Sequence, residues 1–213
     1  MTLKYLLSYF YIPKCLRCDR RIDIDGYLCG DCMKSWRSEM INPAGDVIYL
    51  AKYEKMRDTV SKTLIIRMKH RNVRKLYRFL ADEMLQAISV RLPDYKQYTV
   101  TNVPRMRASV KENGLDHSAL LAEMIAERGG TEYMCTLNNK SRKIQKLLGY
   151  EDRFKNAEKA FVIKGKHRNN LYNRKFLLID DITTSGATFS ACKRILLDNG
   201  AESVEFAAIC GSN

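Results

Sequence analysis

Four consecutive apolar residues, Phe176-Leu-Leu-Ile179, run straight into Asp180-Asp181-Ile182-Thr183-Thr184-Ser185-Gly186-Ala187-Thr188. The apolar run reads as a buried-type strand. The polar residues after it read as a turn leading into a helix from about Ala187 to Asn199, which Gly200 stops. Ligands of open α/β sheets bind outside the carboxyl ends of strands, so this turn is where a site belongs. Ser185, Gly186, Ala187 and Thr188 offer backbone N–H groups and hydroxyls at a helix N-terminus, where the helix dipole favours a phosphate. Two adjoining carboxylates cannot bind that phosphate, since like charges repel. As acceptors they suit the vicinal hydroxyls of a ribose, with Mg²⁺ a candidate companion. A turn that takes a sugar diol and its 5′-phosphate together is a ribose 5-phosphate site; the alternative is a solvated turn after a strand.

The rest of the chain supplies the elements that such a strand needs around it. Val47–Tyr53, Tyr98–Val103, Tyr133–Leu137, Ala160–Ile163 and Val204–Cys210 are further strand-like runs. Between Lys55 and Leu92 apolar residues recur at helical spacing, which predicts two helices broken near Asn72. Asp116 can cap a helix from about His117 to Arg128, ended by Gly129-Gly130. Strands alternating with helices predict an α/β fold with a largely parallel sheet flanked by helices. At 213 residues a chain buries roughly 70% of its unfolded surface, enough for one core without disulfides. An apolar fraction of 46% excludes a disordered chain. No apolar stretch approaches the roughly 18 residues of a membrane span. Met1–Tyr11 is apolar and aromatic, lacks a small-residue cleavage site before Cys15, and is expected to be a packing segment of a cytoplasmic protein.

Cys15, Cys18, Cys29 and Cys32 form C-x2-C-x10-C-x2-C, a spacing that suits tetrahedral Zn²⁺. Gly26 and Gly30 are expected to give the knuckles their backbone freedom. Four thiolates fill the coordination sphere and leave no place for water, so the predicted zinc is structural. Two redox CxxC motifs are the competing reading. Residues 1–45 are taken as the zinc module with a linker over Ser35–Gly45, and residues 46–213 as the main domain. Cys135, Cys192 and Cys210 stand in apolar surroundings and read as small buried hydrophobes.

The formal net charge is +13. Arg67, Arg71, Arg74 and Arg78 would line one helical face if the helix were continuous there. Further basic clusters are Lys140, Arg142, Lys143 and Lys146, and Lys164, Lys166, His167 and Arg168. Tyr27 and Trp36 lie among the basic residues of the zinc module, as rings that could stack on unpaired bases. Single-stranded DNA or RNA fits this pattern better than duplex; a solvated basic face is the plain alternative.

Several segments carry a family resemblance. Asp180–Thr188 closely resembles the phosphoribosyl-diphosphate (PRPP) loop of type I phosphoribosyltransferases. Together with the C4 module, Pro13-Lys-Cys-Leu-Arg-Cys18, Tyr53 followed by Arg67-Met-Lys69, and Val103-Pro104, it resembles the ComF family, associated with natural competence. Gly114-Leu-Asp-His117, Leu120-Leu121-Ala122, and Gln145, Leu148, Arg153, Asn156 and Phe161 follow in family order. The chain departs from the family at Asn113-Gly114-Leu115-Asp116-His117, where Arg-Gly-Phe/Tyr-Asn-Gln is common, and at Arg71-Asn72, where a glycine is usual.

The resemblance implies a type I phosphoribosyltransferase-like domain that binds PRPP with Mg²⁺ through Asp180, Asp181, Thr183, Thr184, Ser185, Gly186, Ala187 and Thr188. Arg105 and Arg107 follow the strand ending at Val103 and are candidates to meet the pyrophosphate; solvated surface arginines are the alternative. Thr184 stands where 6-oxopurine enzymes carry an Asp proton acceptor, which argues against hypoxanthine or guanine salvage. His117 is read evenly as a site residue or as a helix start. Three functions stay open. One is a ComF-type competence protein contacting single-stranded DNA beside the competence machinery. Another is a phosphoribosyltransferase with an unidentified base acceptor. The last is a non-catalytic PRPP sensor that binds nucleic acid.

Overall fold

The computed structural model describes residues 13–40, 47–52, 57–70, 73–141 and 160–211. Met1–Tyr11, Asn42–Gly45, Tyr53, Arg71, the break at Asn72, the Arg142–Lys146 cluster and the Gln145–Asn156 part of the ComF pattern lie outside them. In chain order the elements begin with α1 (Gly30–Glu39), β1 (Val47–Lys52), α2 (Val60–His70), α3 (Arg74–Arg91) and β2 (Tyr98–Asn102). They continue with α4 (Arg107–Asn113), α5 (His117–Gly129), β3 (Leu137–Asn139), β4 (Phe161–Ile163), β5 (Lys175–Thr183), α6 (Ala187–Asp198) and β6 (Ser203–Gly211).

The parallel sheet expected from the alternation of strands and helices is present, in the order β1-β6-β5-β2. Along β5 the side chains alternate between two cores, as a sheet covered on both faces requires. Leu177 and Ile179 join Ala207 and Ile209 under α3 and α5, whereas Phe176 and Leu178 join Phe189, Cys192 and Leu196 of α6. β5 does not stop at Ile179 as expected. It runs on through both aspartates to Thr183, because β6 continues beside it and pairs Asp180 with Ala208 and Thr183 with Gly211. The Tyr133–Leu137 run also differs from expectation. Its backbone is bridged to β2 between Val100 and Tyr133, its Thr136 and Tyr133 hydroxyls bond Thr101 and Asn102, and the strand proper, Leu137–Asn139, pairs antiparallel with β4.

The N-terminal cysteine segment packs on the sheet and its helices through α1. Residues 35–39, expected as linker, are the second half of that helix. Trp36 is fully buried and packs on Phe79 of α3 with ring centroids 5.8 Å apart, and Tyr27 meets the same ring at 5.2 Å. Both rings are therefore core or near-core residues, and the base-stacking role expected for them is not available to Trp36. Its indole N–H donates to Glu83 at 2.8 Å, and the Arg37 guanidinium also donates to both oxygens of that buried carboxylate. Removing the acceptor would strand a buried donor and a cation. Glu83→Ala is thus expected to lower stability by about 2–3 kcal/mol in urea denaturation, and Glu83→Gln by less.

Candidate functional site

The alternation along β5 persists at its carboxyl end, so Asp180 and Asp181 leave the strand on opposite faces. Asp181 is 5% exposed and turns toward α2 and the segment after β2. Lys69 Nζ lies 2.9 Å and Arg105 Nη2 2.7 Å from its Oδ2. Burial by itself would raise the Asp181 pKa, but the two cations overcome it and hold the group below the usual carboxylate range. Asp180 accepts the Asp181 backbone N–H at 2.8 Å. Burial, and then the adjacent Asp181 charge, push its pKa well above the ordinary value. The two groups are thus pushed apart, Asp181 toward its charged form and Asp180 toward its protonated form. Two adjacent acids in a poorly solvated place divide their protonation in this way.

Beyond Thr183 the chain bends through exposed Thr184 and Ser185 and enters α6 at Gly186. Gly186 has φ +69°, a left-handed conformation that side-chain-bearing residues rarely adopt. As the N-cap it brings no side-chain acceptor to the first-turn N–H groups of α6. The strand end, the acid pair and this helix start are contiguous, so an acceptor pair and a donor cluster flank one short turn.

Arg105 and Arg107 divide their roles. Arg105 is spent on Asp181, and its backbone N–H lies 3.4 Å from Asp116. Arg107 is exposed at the start of α4. Both line a cavity of about 320 Å³ together with Lys111, Lys164, Asp116 and Cys135. Cys135 is half-buried with Lys164 Nζ 2.7 Å from its Sγ, so it differs from the fully buried Cys192 and Cys210, which are the small core hydrophobes expected. His117 opens α5, where Asp116 caps the helix by accepting the Ala119 N–H at 3.2 Å. Its buried ring bonds Tyr77 through Nδ1 at 2.6 Å, and Nε2 has no partner among the described residues. Burial, then nearby Arg105, lower the His117 pKa, so the ring is neutral.

The four N-terminal cysteines converge, with their Sγ atoms all within 4.8 Å of one another and Cys18 and Cys29 at 3.6 Å. Zn–S bonds of about 2.3 Å imply tetrahedral S···S edges of ~3.8 Å, so the donor set fits a closed zinc site with no position for water. Burial acts to raise the Cys15 pKa, but amide donors including Arg17 N–H outweigh it and lower the thiol to about 7. Gly26 and Gly30 do not supply the unusual backbone, since neither has a positive φ. Asp19 does, at φ +60°, just after the first knuckle.

The described members of the four-arginine stripe do not share one helix. α2 ends at His70 and α3 begins at Arg74, so Arg67 lies on a different helix from Arg74 and Arg78. Arg67 is turned to the knuckle, donating to both Asp19 oxygens at 2.9 and 2.7 Å. Arg74 and Arg78 are exposed, and Arg71 lies outside the described residues.

The site residue that sequence reasoning missed is Lys69. Composition gave only one more cation in a basic stretch, and its partner Asp181 is distant in sequence. The sole signal was its place in Arg67-Met-Lys69 of the ComF pattern. Tyr77 had no signal beyond the helical spacing around it.

No protein-family model matches the chain. It is similar to two curated proteins, each named competence protein ComFC. The one from Streptococcus pneumoniae (strain ATCC BAA-255 / R6) is 28% identical over 134 residues, 61% of this chain and 57% of that protein. The one from Bacillus subtilis (strain 168) is 27% identical over 180 residues, 81% of this chain and 67% of that protein. The chain thus spans little more than half the length of the first. The resemblance to the ComF family read from the residues is matched by these relatives. Solved structures similar to the chain include Saccharomyces cerevisiae adenine phosphoribosyltransferase, with TM-score 0.46 and 14% identity over 67% of this chain and 72% of that one. Another is the glutamine PRPP amidotransferase of B. subtilis, with TM-score 0.42 and 19% identity over 62% of this chain and 26% of that one. Among the described residues, no helix is long and apolar enough to cross a membrane.

The acid pair makes a testable statement about stability. A carboxyl whose pKa is raised on folding favours the folded state below its unfolded pKa, and that contribution is lost as pH rises through the folded value. Asp180→Asn should therefore raise the melting temperature at pH 8 by ~2–4 °C, about 1 kcal/mol, with the gain shrinking toward pH 4. Thermal melts across that range check it.

Proposed function

We propose that this chain is a ComF-type competence protein whose parallel-sheet domain binds PRPP with Mg²⁺ at the carboxyl end of β5. The observation that carries the reading is the contiguity of three parts: the Asp180–Asp181 pair, the Thr183–Ser185 bend, and the Gly186-capped start of α6. On this reading the ribose diol lies across the strand end, meeting Asp180 from one face and Asp181 from the other as Asp181 gives up part of its hold on Lys69 and Arg105. The amides and hydroxyls from Thr184 to Thr188 take the 5′-phosphate at the positive end of the helix. Mg²⁺, where bound, would offset the charge of the diphosphate beside the carboxyl groups of Asp180 and Asp181. Arg107, Lys111 and Lys164 supply positive charge beside Arg105, on the side where pyrophosphate would lie. If transfer to a base occurs, these cations stabilise the departing pyrophosphate and the Asp181 charge faces the developing cation of the sugar. Thr184 is a poor proton acceptor at its ordinary pKa, so the acceptor must bring a nitrogen that needs little help to react.

Replacing both acids, Asp180→Asn with Asp181→Asn, removes the diol's carboxyl partners. Calorimetry with Mg²⁺ and PRPP should show at least ~100-fold weaker binding than wild type, with zinc content unchanged. Wild-type affinity in that variant refutes the site.

Contact with single-stranded nucleic acid is the second reading, favoured by exposed Arg74 and Arg78 four residues apart on α3, with Lys75 set over the Tyr27 ring at 5.6 Å. Arg67 is left out of it because its guanidinium is committed to Asp19. Contact of this kind is electrostatic and indifferent to sequence. Arg74→Gln with Arg78→Gln should lower the salt slope of oligonucleotide binding by ~1.4, two phosphates at about 0.7 each. A fluorescence titration with an unchanged slope removes α3 from that surface.

A further inference from the structure

We infer that the cysteine knuckle sets the position of α2 and, through it, of Lys69 at Asp181, so that zinc binding and sugar-phosphate binding are energetically coupled. The inference rests on the PRPP reading for one of its two readouts.

α2 is held by the zinc module at both ends. At its start, Glu39 at the end of α1 accepts the backbone N–H groups of Val60 at 2.6 Å and Ser61 at 2.9 Å. These are first-turn donors that a helix must satisfy from outside itself, and here another element supplies the acceptor. Near its end, the Arg67 guanidinium forks onto Asp19 through two parallel bonds. Both anchors belong to the segment that the four thiolates organise. Asp19 directly follows Cys18, and α1 begins between Cys29 and Cys32. Two residues beyond Arg67, Lys69 points to the opposite side of the helix and places Nζ 2.9 Å from Asp181.

The division of labour between apolar and polar contacts makes this a positioning device. Val60, Leu64, Ile65 and Met68 are buried and hold α2 in the core beside α1 and α3. Burial of that kind has little direction, so it leaves the rotation and axial slide of the helix weakly determined. A bidentate Arg–carboxylate pair and a two-oxygen cap are directional and remove that freedom. Asp181 in turn depends on Lys69 for half of the positive charge that keeps it ionised beside Asp180. Loosening the knuckle therefore lets Lys69 drift from Asp181. By reciprocity, a ligand that fixes Asp181 must tighten the hold on zinc.

The test uses the zinc-loaded full chain, Arg67→Ala, Arg67→Lys and the exchanged pair Asp19→Arg with Arg67→Asp. Arg67 is not a zinc ligand and touches none of the groups proposed to contact PRPP. Arg67→Ala is expected to keep its zinc and bind Mg²⁺-PRPP about tenfold more weakly in calorimetry, with Arg67→Lys intermediate and the exchanged pair recovering part of the loss. Hydrogen exchange gives a second readout that needs no PRPP. Amides of residues 67–70 should exchange about tenfold faster after chelation of zinc or in Arg67→Ala, while those in the middle of α3 stay unchanged. Loss of zinc from Arg67→Ala with the domain still folded would support the coupling from the other direction. Full zinc together with wild-type PRPP affinity in Arg67→Ala overturns the inference. If wild type binds no PRPP, the ligand reading fails by itself, and unchanged exchange at 67–70 on chelation then overturns the coupling.

Discussion

Two adjacent carboxyl groups at the closed end of a buried strand cannot both be charged without help, and the placement of cations around β5 answers that constraint. Lys69 from α2 and Arg105 from the turn after β2 converge on Asp181. Asp180, with no such pair, is pushed toward its protonated form. The arrangement stores an unfavourable group at the sheet's carboxyl end, a cost that the two-sided packing of Phe176, Leu177, Leu178 and Ile179 is well able to carry. Destabilised, strongly shifted acids concentrate at sites that bind or react, and these lie beside a helix start that offers uncapped amides.

The N-terminal cysteine module is tied into the same arrangement by directional contacts. Its helix buries Trp36 against Phe79 and ties Arg37 to Glu83. Its first knuckle holds Arg67, and its last helical residue caps α2. Cysteine cluster, helix and acid pair thus form a continuous chain of directional contacts from Cys18 to Asp181. A metal held by those thiolates would in this way bear on the proposed sugar-phosphate site without touching it.

Much of the fold was legible because local pattern and global packing agree. The apolar run at 176–179, the helical spacing on either side of residue 72 and the Asp116 cap each predict the element found. The cysteine spacing likewise predicts a four-thiolate cluster. What was not legible depends on partners remote in sequence. Asp180 and Asp181 look like a turn until β6 pairs with them. Arg67 looks like a solvated cation until the knuckle folds Asp19 against it, and Trp36 looks exposed among basic neighbours until Glu83 accepts its N–H. The pairing of Arg105 with Asp181 spans 76 residues, and no local period encodes it.

The most direct measurement is a crystal structure of the zinc-loaded chain with PRPP and Mg²⁺. The account predicts ribose hydroxyls within hydrogen-bond distance of the Asp180 and Asp181 carboxyl groups, and the 5′-phosphate on the amides between Thr184 and Thr188. PRPP bound elsewhere, or a strand end left empty with Asp181 still closed on Lys69 and Arg105 at saturating ligand, would contradict it.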